Sequence, residues 1–268
     1  MSFRQLLVKG LFFLQGVFTG GQTVCPYCEG THFEIVARKA WVIRICHCLD
    51  CELYWTHPIF KFYKFYDLLY EGHGMVTRTL RGAQLEEALS NNFKNTDRNY
   101  SDFLAGLSKT VNGRKLLEFG SSWGYFLLQA RKEGFDATGV EISEKRSAFG
   151  RDQFKLNIVS HLDVLISAGM KYDAIVTFHV LEHLTSLRKI FEKFSMLLSE
   201  KGVLVIEVPF LDAAKGKDPF EIIGAVHPLA FSKRFFEINM PREGFEVVFE
   251  DRRVVCRKTS NHGSAFGA

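Results

Sequence analysis

The sequence predicts an α/β protein, built on an open and mostly parallel sheet that is closed by an antiparallel hairpin and preceded by a small cysteine-rich lobe. Three observations carry that prediction. Residues 115–142 read as strand, glycine turn, helix and strand. Further buried-strand patterns follow, with helical stretches between them. Two Cys-x-x-Cys pairs lie about 20 residues apart near the N-terminus.

Length and composition bound the reading first. A chain of 268 residues holds one large domain and a small appendage. Its hydrophobic fraction of 47% and charged fraction of 24% are those of a soluble globular protein. The net charge of +4 is too weak to imply a nucleic-acid partner.

Residues 1–24 form an amphipathic segment in which Phe3, Leu6, Leu7, Leu11, Leu14, Val17 and Phe18 recur at helical spacing. The stretch is too short and interrupted to span a bilayer, and Lys9 splits the apolar run that a secretory signal needs. A helix packed on the body or on a partner is expected, with a peripheral membrane contact through residues 3–18 as the alternative. A cytoplasmic location follows from the lack of a convincing secretory signal.

Residues 25–60 carry Cys25, Cys28, Cys48 and Cys51, a spacing that closes a tetrahedron of thiolates about a structural Zn2+. Cys46 and His47 are near enough to substitute, but only Cys48 forms a Cys-x-x-Cys with Cys51. Four thiolates leave no open coordination position, so the metal is expected to staple the lobe and take no part in chemistry.

Residues 61–112 are expected to form a connector and lid. From the end of the lobe into this connector, Trp55, Phe60, Phe62, Tyr63, Phe65, Tyr66 and Tyr70 make the most aromatic part of the chain, as packing between lobes or as a substrate-facing wall. Gly72-His73-Gly74 suggests a mobile loop, and residues 83–110 read as mainly helical with breaks at Asn91-Asn92 and Asn95.

The main domain is placed at residues 113–258, with a disordered tail at 259–268. Its first strand ends on Glu118, turns through Gly120, Ser122 and Gly124 into a helix opened by Tyr125, and the next strand ends on Glu141 and Ile142. A dinucleotide turn needs glycine where Ser122 and Tyr125 stand, so a pyrophosphate cradle is not expected. Acids at two strand ends favour a ligand with hydroxyls and an ammonium group. S-adenosylmethionine offers both, with Glu141 accepting from the ribose hydroxyls and Glu118 near the amine.

Ser143 caps a helix to about Phe154, Ile158 and Val159 make a third strand, and Asp163 falls where a carboxylate reaches an adenine amine. Tyr172 to Phe178 is the fourth strand, with His179 at its ligand-binding end. His179, Glu182 and His183 invite a metal, but Glu182 and His183 are expected side by side on a helix, pointing apart. Val203 to Val208 is the fifth strand, followed by a long loop to Leu229. Ser232 caps the last helix, and Phe245–Glu250 with Arg253–Arg257 form the closing hairpin.

The segments EFGSSWGYF and GVEIS resemble the cofactor and acidic loops of class I S-adenosylmethionine-dependent methyltransferases, and the resemblance runs through YDAIVTFHVLEHL, GVLVIEVP and HPLAFS. CPYC and CHCLDCELYWTHP resemble the zinc-ribbon that precedes this domain in a subgroup some of whose members methylate sugars. The resemblance implies a Rossmann-like methyltransferase sheet, with Glu118, Gly120, Ser122, Gly124, Tyr125, Glu141, Ile142, Asp163 and His179 about the cofactor. Histidines follow at the acceptor side, where similar proteins carry an acid before the position of His227; here Val226 stands there.

The sequence lacks an Asp/Asn-Pro-Pro-Tyr/Phe after the fourth strand and a Pro-Cys nucleophile in this domain, which argues against amine and pyrimidine-carbon acceptors. The expected activity is methyl transfer to an oxygen or carbon of a small molecule, sugar or sugar nucleotide first. His227 is the favoured base, ahead of His179, with His183 also in reach. The rival readings are an RNA base methyltransferase holding RNA through its zinc-ribbon, and a catalytically inactive zinc-ribbon binding protein.

Overall fold

The computed structural model describes residues 23–39, 42–59, 79–214, 216, 218–224 and 226–259, with residues 10, 11, 14 and 18 singly. The expectations for the N-terminal segment, the aromatic run of residues 60–70, the Gly72-His73-Gly74 loop and the tail beyond Thr259 lie outside the described residues. Among the described residues no helix is long and apolar enough to cross a membrane.

Alternating burial builds the main sheet. It contains β4 (Lys115–Phe119), β5 (Asp136–Val140), β6 (Asn157–Val159), β7 (Tyr172–Phe178), β8 (Leu198–Glu207), β10 (Phe245–Glu250) and β11 (Arg253–Lys258), in the order β10-β11-β8-β7-β4-β5-β6. The five strands β8-β7-β4-β5-β6 run parallel, and β10 and β11 close the sheet antiparallel. Successive residues point to opposite faces, so Leu117, Ile175, Leu204 and Ile206 enter one core while Leu116, Ala174, Val176, Val203 and Val205 enter the other.

Helices cover these faces: α1 (Ala83–Ser90), α2 (Ser101–Thr110), α3 (Tyr125–Lys132), α4 (Glu144–Phe154), α5 (Leu162–Ser167), α6 (Arg188–Leu197), the single turn α7 (Pro219–Ile222) and α8 (Lys233–Arg242). Ser143 caps α4 by accepting from Arg146 N, and Ser232 caps α8 by accepting from Phe235 N, as the sequence predicts. Strand order reverses between β4 and β7, whose carboxyl ends therefore flank the crevice where open α/β sheets bind ligands.

The cysteine-rich lobe is less separate than the sequence suggests. Its strands β1 (Phe33–Lys39), β2 (Ile43–Cys48) and β3 (Tyr54–His57) form an antiparallel sheet that takes a fourth strand, β9 (Leu229–Ala230), from the far end of the chain. Trp55 pairs with Leu229 and Tyr54 with Ala230. The lobe also shares the apolar core of one sheet face, where Tyr27 packs edge-on against Phe191 of α6 and Phe235 of α8. Edge-on aromatic pairs of this kind contribute roughly 0.5–1.5 kcal/mol beyond the area they bury. Polar ties fix its orientation: Asn239 Nδ2 donates to Cys51 O at 2.8 Å, and Tyr27 Oη donates to Glu243 Oε1 at 2.7 Å.

Candidate active site

The turn after β4 has its shape imposed by two glycines. Gly120 and Gly124 adopt φ of +85° and +81°. A side chain at Gly120 would meet Val180, and one at Gly124 would come within 2.5 Å of Leu156 Cδ1. The tightened backbone delivers Ser122 N to Glu141 Oε2 at 2.8 Å, while Ser143 N donates to Glu141 Oε1 at 2.8 Å. One carboxylate thus locks the two loops that follow β4 and β5.

Glu118 stands on β4 beside this lock and is 5% exposed. Burial pushes its pKa well above the ordinary carboxylate range, and the nearby Glu141 adds to the shift. Its Oε2 has no hydrogen-bond partner among the described residues. A buried acid left unsatisfied at a ligand crevice is costly unless a cationic group completes it.

The other expected cofactor residues are placed unequally. Ile142 is exposed next to Glu141. Tyr125 is buried, and its Oη accepts from Leu80 N at 2.8 Å, so its ring is used to anchor the chain before α1. Asp163 is exposed and pairs with Lys193 Nζ of α6 at 2.7 Å, which holds its pKa down. It stands outside the contacts that join Glu118, Glu141 and Ser122.

A second cluster lies across the crevice at the end of β7. His179 has φ of +54°, uncommon for a residue with a side chain, and presents its half-exposed ring between two buried acids. Its Nδ1 is 3.3 Å from Glu182 Oε1, and its Nε2 is 3.3 Å from Glu207 Oε1. Glu182 and then Glu207 raise the His179 pKa to about 9 against the opposing effect of burial. Arg252 and Arg253 also bind Glu207, at 3.0 and 2.8 Å. Burial pushes the His183 pKa down to about 4.

The geometry of Glu182 and His183 corrects the sequence expectation. They do not lie on an α-helix but in a 3-10 turn, Leu181–His183, which ends as Leu184 becomes extended; α6 starts only at Arg188. The tighter turn aims both side chains to one place, and His227 joins them from the segment before β9, with its ring centroid 4.6 Å from that of His183. Glu207 joins the site without a motif to mark it in the sequence. Its signal is an acid at the carboxyl end of a parallel strand, as at Glu118 and Glu141.

The four expected cysteines converge in the N-terminal lobe. Cys25 Sγ and Cys51 Sγ are 3.4 Å apart, and Cys28 Sγ and Cys48 Sγ 3.5 Å. The Cys51 contact holds the Cys25 thiol down to about 6, while burial pushes Cys28 up to about 12. Cys46 is buried and outside the cluster, and His47 is engaged by Glu34 and Glu52 at 3.0 Å each.

A family model described as a methyltransferase domain matches residues 93–248, and the chain belongs to this family of S-adenosylmethionine-dependent methyltransferases. Among solved structures it is similar to CalS10, an amino pentose methyltransferase from Micromonospora echinaspora, at 15% identity and a TM-score of 0.50 over 68% of this chain and 100% of that one. DesVI from Streptomyces venezuelae shows 15% identity and a TM-score of 0.49, over 67% of this chain and 100% of that one. A SAM-dependent methyltransferase from Archaeoglobus fulgidus shows 17% and 0.48, over 65% of this chain and 99% of that one. At these identities the likeness is one of fold. Among curated proteins the sequence finds no match.

Proposed function

We propose that this methyltransferase acts on an oxygen or carbon of a small molecule, a sugar or sugar nucleotide first, and that its cysteine lobe holds one structural zinc. The observation that carries the site assignment is the pair of acids at the ends of adjacent parallel strands, one locked by backbone amides and the other buried with an unsatisfied oxygen. In this reading Glu118 completes itself against the ammonium of the methionine moiety. Glu141, fixed by Ser122 N and Ser143 N, faces the ribose hydroxyls, and Gly120, Gly124 and Ile142 shape the wall between them.

S-adenosylmethionine, when bound, supplies an activated methyl group; the chain has to hold the acceptor in line and manage its proton. His227 is the favoured base. His179, held between two carboxylates, is better suited to donating a hydrogen bond to the acceptor. A polar wall of histidines and acids suits an acceptor rich in hydroxyls, and CalS10, of similar fold, is an amino pentose methyltransferase. The weak net charge gives RNA little purchase.

For the zinc, the donor set and spacing fit. Tetrahedral Zn2+ with Zn–S bonds of about 2.3 Å sets its sulfurs roughly 3.8 Å apart, close to the distances between the paired sulfurs here. Cys25, Cys28, Cys48 and Cys51 would hold it, with thiols kept reduced as in the cytoplasm.

Calorimetric titration of S-adenosylhomocysteine into the wild type tests the cofactor site, with zinc measured on the same sample. Micromolar binding and about one zinc per chain are expected, followed by turnover in a screen of sugar nucleotides. No binding to a folded, zinc-replete protein would sink the site assignment, and turnover confined to RNA would replace the acceptor class.

A further inference from the structure

We propose that Glu182, His183 and His227 form a second metal site, separate from the four cysteines, which takes a divalent first-row cation and leaves coordination positions open toward the acceptor. One carboxylate oxygen of Glu182 and one ring nitrogen of each histidine lie within 4.8 Å of one another. Donors bound to one cation at about 2.1 Å stand roughly 3–4 Å apart, so small side-chain rotations suffice to close the set.

The carboxylate itself points to a missing ligand. Glu182 is 2% exposed, and neither of its oxygens accepts a hydrogen bond from a described residue. His179 Nδ1 stands 3.3 Å from Oε1 but without hydrogen-bond alignment. His179 thus offers its charge to Oε1 alone, and Oε2, this deep and without a donor among the described residues, is open to a cation.

The histidines are prepared for the same role. His183 Nδ1 lies 2.7 Å from Val226 O. A carbonyl only accepts, so Nδ1 carries the proton and the lone pair sits on Nε2. That is the outer-shell bond that orients a metal-bound imidazole. Val226 is also the neighbour of His227, so one backbone segment positions both ligands.

Two imidazoles and a carboxylate suit Mn2+, Fe2+ or Zn2+, and three protein ligands leave room for an oxygen from outside. A hydroxyl bound there would lose its proton more readily to solvent water, and its oxygen would bond to the methyl carbon as the carbon–sulfur bond breaks to leave neutral S-adenosylhomocysteine; His227 would then serve as a ligand in place of the base role given above. This catalytic role rests on the methyl-transfer reading, whereas the site itself stands without it.

The test uses Mn2+ alone, added to zinc-replete full-length protein and followed by electron paramagnetic resonance, because Mn2+ prefers nitrogen and oxygen donors and does not compete for thiolates. About one Mn2+ per chain is expected, with enhanced water-proton relaxation from its open positions. Glu182→Gln, which conserves shape, and His227→Gln should each weaken it at least tenfold while ribbon zinc and S-adenosylhomocysteine binding persist. Failure of wild-type protein to bind Mn2+, Fe2+ or Zn2+ beyond the ribbon zinc would overturn the site, as would variants that bind as tightly as wild type. S-adenosylhomocysteine binding on the same samples reports separately on the cofactor reading.

Discussion

The two sides of the crevice are built in opposite ways. The cofactor side is local: Glu118, the glycine turn, Glu141 and Ser143 fall within one strand-turn-helix-strand unit, and backbone amides set the geometry. The histidine side is assembled from separate segments, Glu182 and His183 after β7, Glu207 at the end of β8, and His227 before β9, and side chains set the geometry. Local construction makes a site robust to distant damage. Assembly from several segments makes it depend on everything that holds those segments.

The largest effect expected from this contrast comes from a residue that touches neither side. Cys48→Ser should release the zinc and, by loosening the sheet that β9 joins, lower stability by several kcal/mol. Turnover should fall further than S-adenosylhomocysteine affinity, since the lost strand positions His227 and not the glycine turn. Thermal unfolding, zinc content and calorimetry on one sample check this. Equal loss of both activities would mean that the two sides are not separable.

Next, His227→Gln is expected to lower kcat by about 10²–10⁴ with an unchanged dissociation constant for S-adenosylhomocysteine. Glu182→Gln sharpens the result. Equal losses of turnover in the two variants fit ligands of one cation, and a loss confined to His227→Gln fits a simple base.

The two acids of the cofactor side should separate by the sign of their stability effects. Glu141→Ala strands two backbone amides and should lower both stability and cofactor affinity, each by about 1–3 kcal/mol. Glu118→Gln should weaken the cofactor by a similar factor yet raise the melting temperature near neutral pH. The folded state raises the pKa of Glu118, so its contribution is favourable below the unfolded value of about 4.3 and turns unfavourable as pH rises above it. Pairing with an ammonium favours the carboxylate, so cofactor binding should draw the raised Glu118 pKa back down and strengthen as pH rises. Calorimetry of S-adenosylhomocysteine binding across a pH series checks the slope.

The smallest effect is Ser232→Ala, about 1 kcal/mol from the lost cap of α8, read as a fall in melting temperature with turnover per folded molecule unchanged.

How far the sequence could be read follows the same division. The end of β7 at Phe178, the ends of β4 at Phe119 and β5 at Val140 to within one residue of the expected Glu118 and Glu141, the caps Ser143 and Ser232, and the closing hairpin are written in short patterns that spacing reveals. The four cysteines converge as their spacing implies, with Cys46 and His47 excluded. The 3-10 turn was not legible, because the HVLEHL segment suits a helix and only the extended Leu184 ends it. Nor was β9, two residues whose strand partners lie far upstream in Trp55 and Tyr54. Glu207 was visible in type but hidden in role, since its partners His179, Arg252 and Arg253 come from other segments.

The strand that β9 lends to the cysteine lobe ties the two ends of the chain together: Trp55 and Tyr54 pair with Leu229 and Ala230, and Thr56 N donates to Pro228 O one residue from His227. The lobe is thus a splint on the far side of the fold, and a chain made without the residues before Leu80 would expose an unpaired strand edge beside His227.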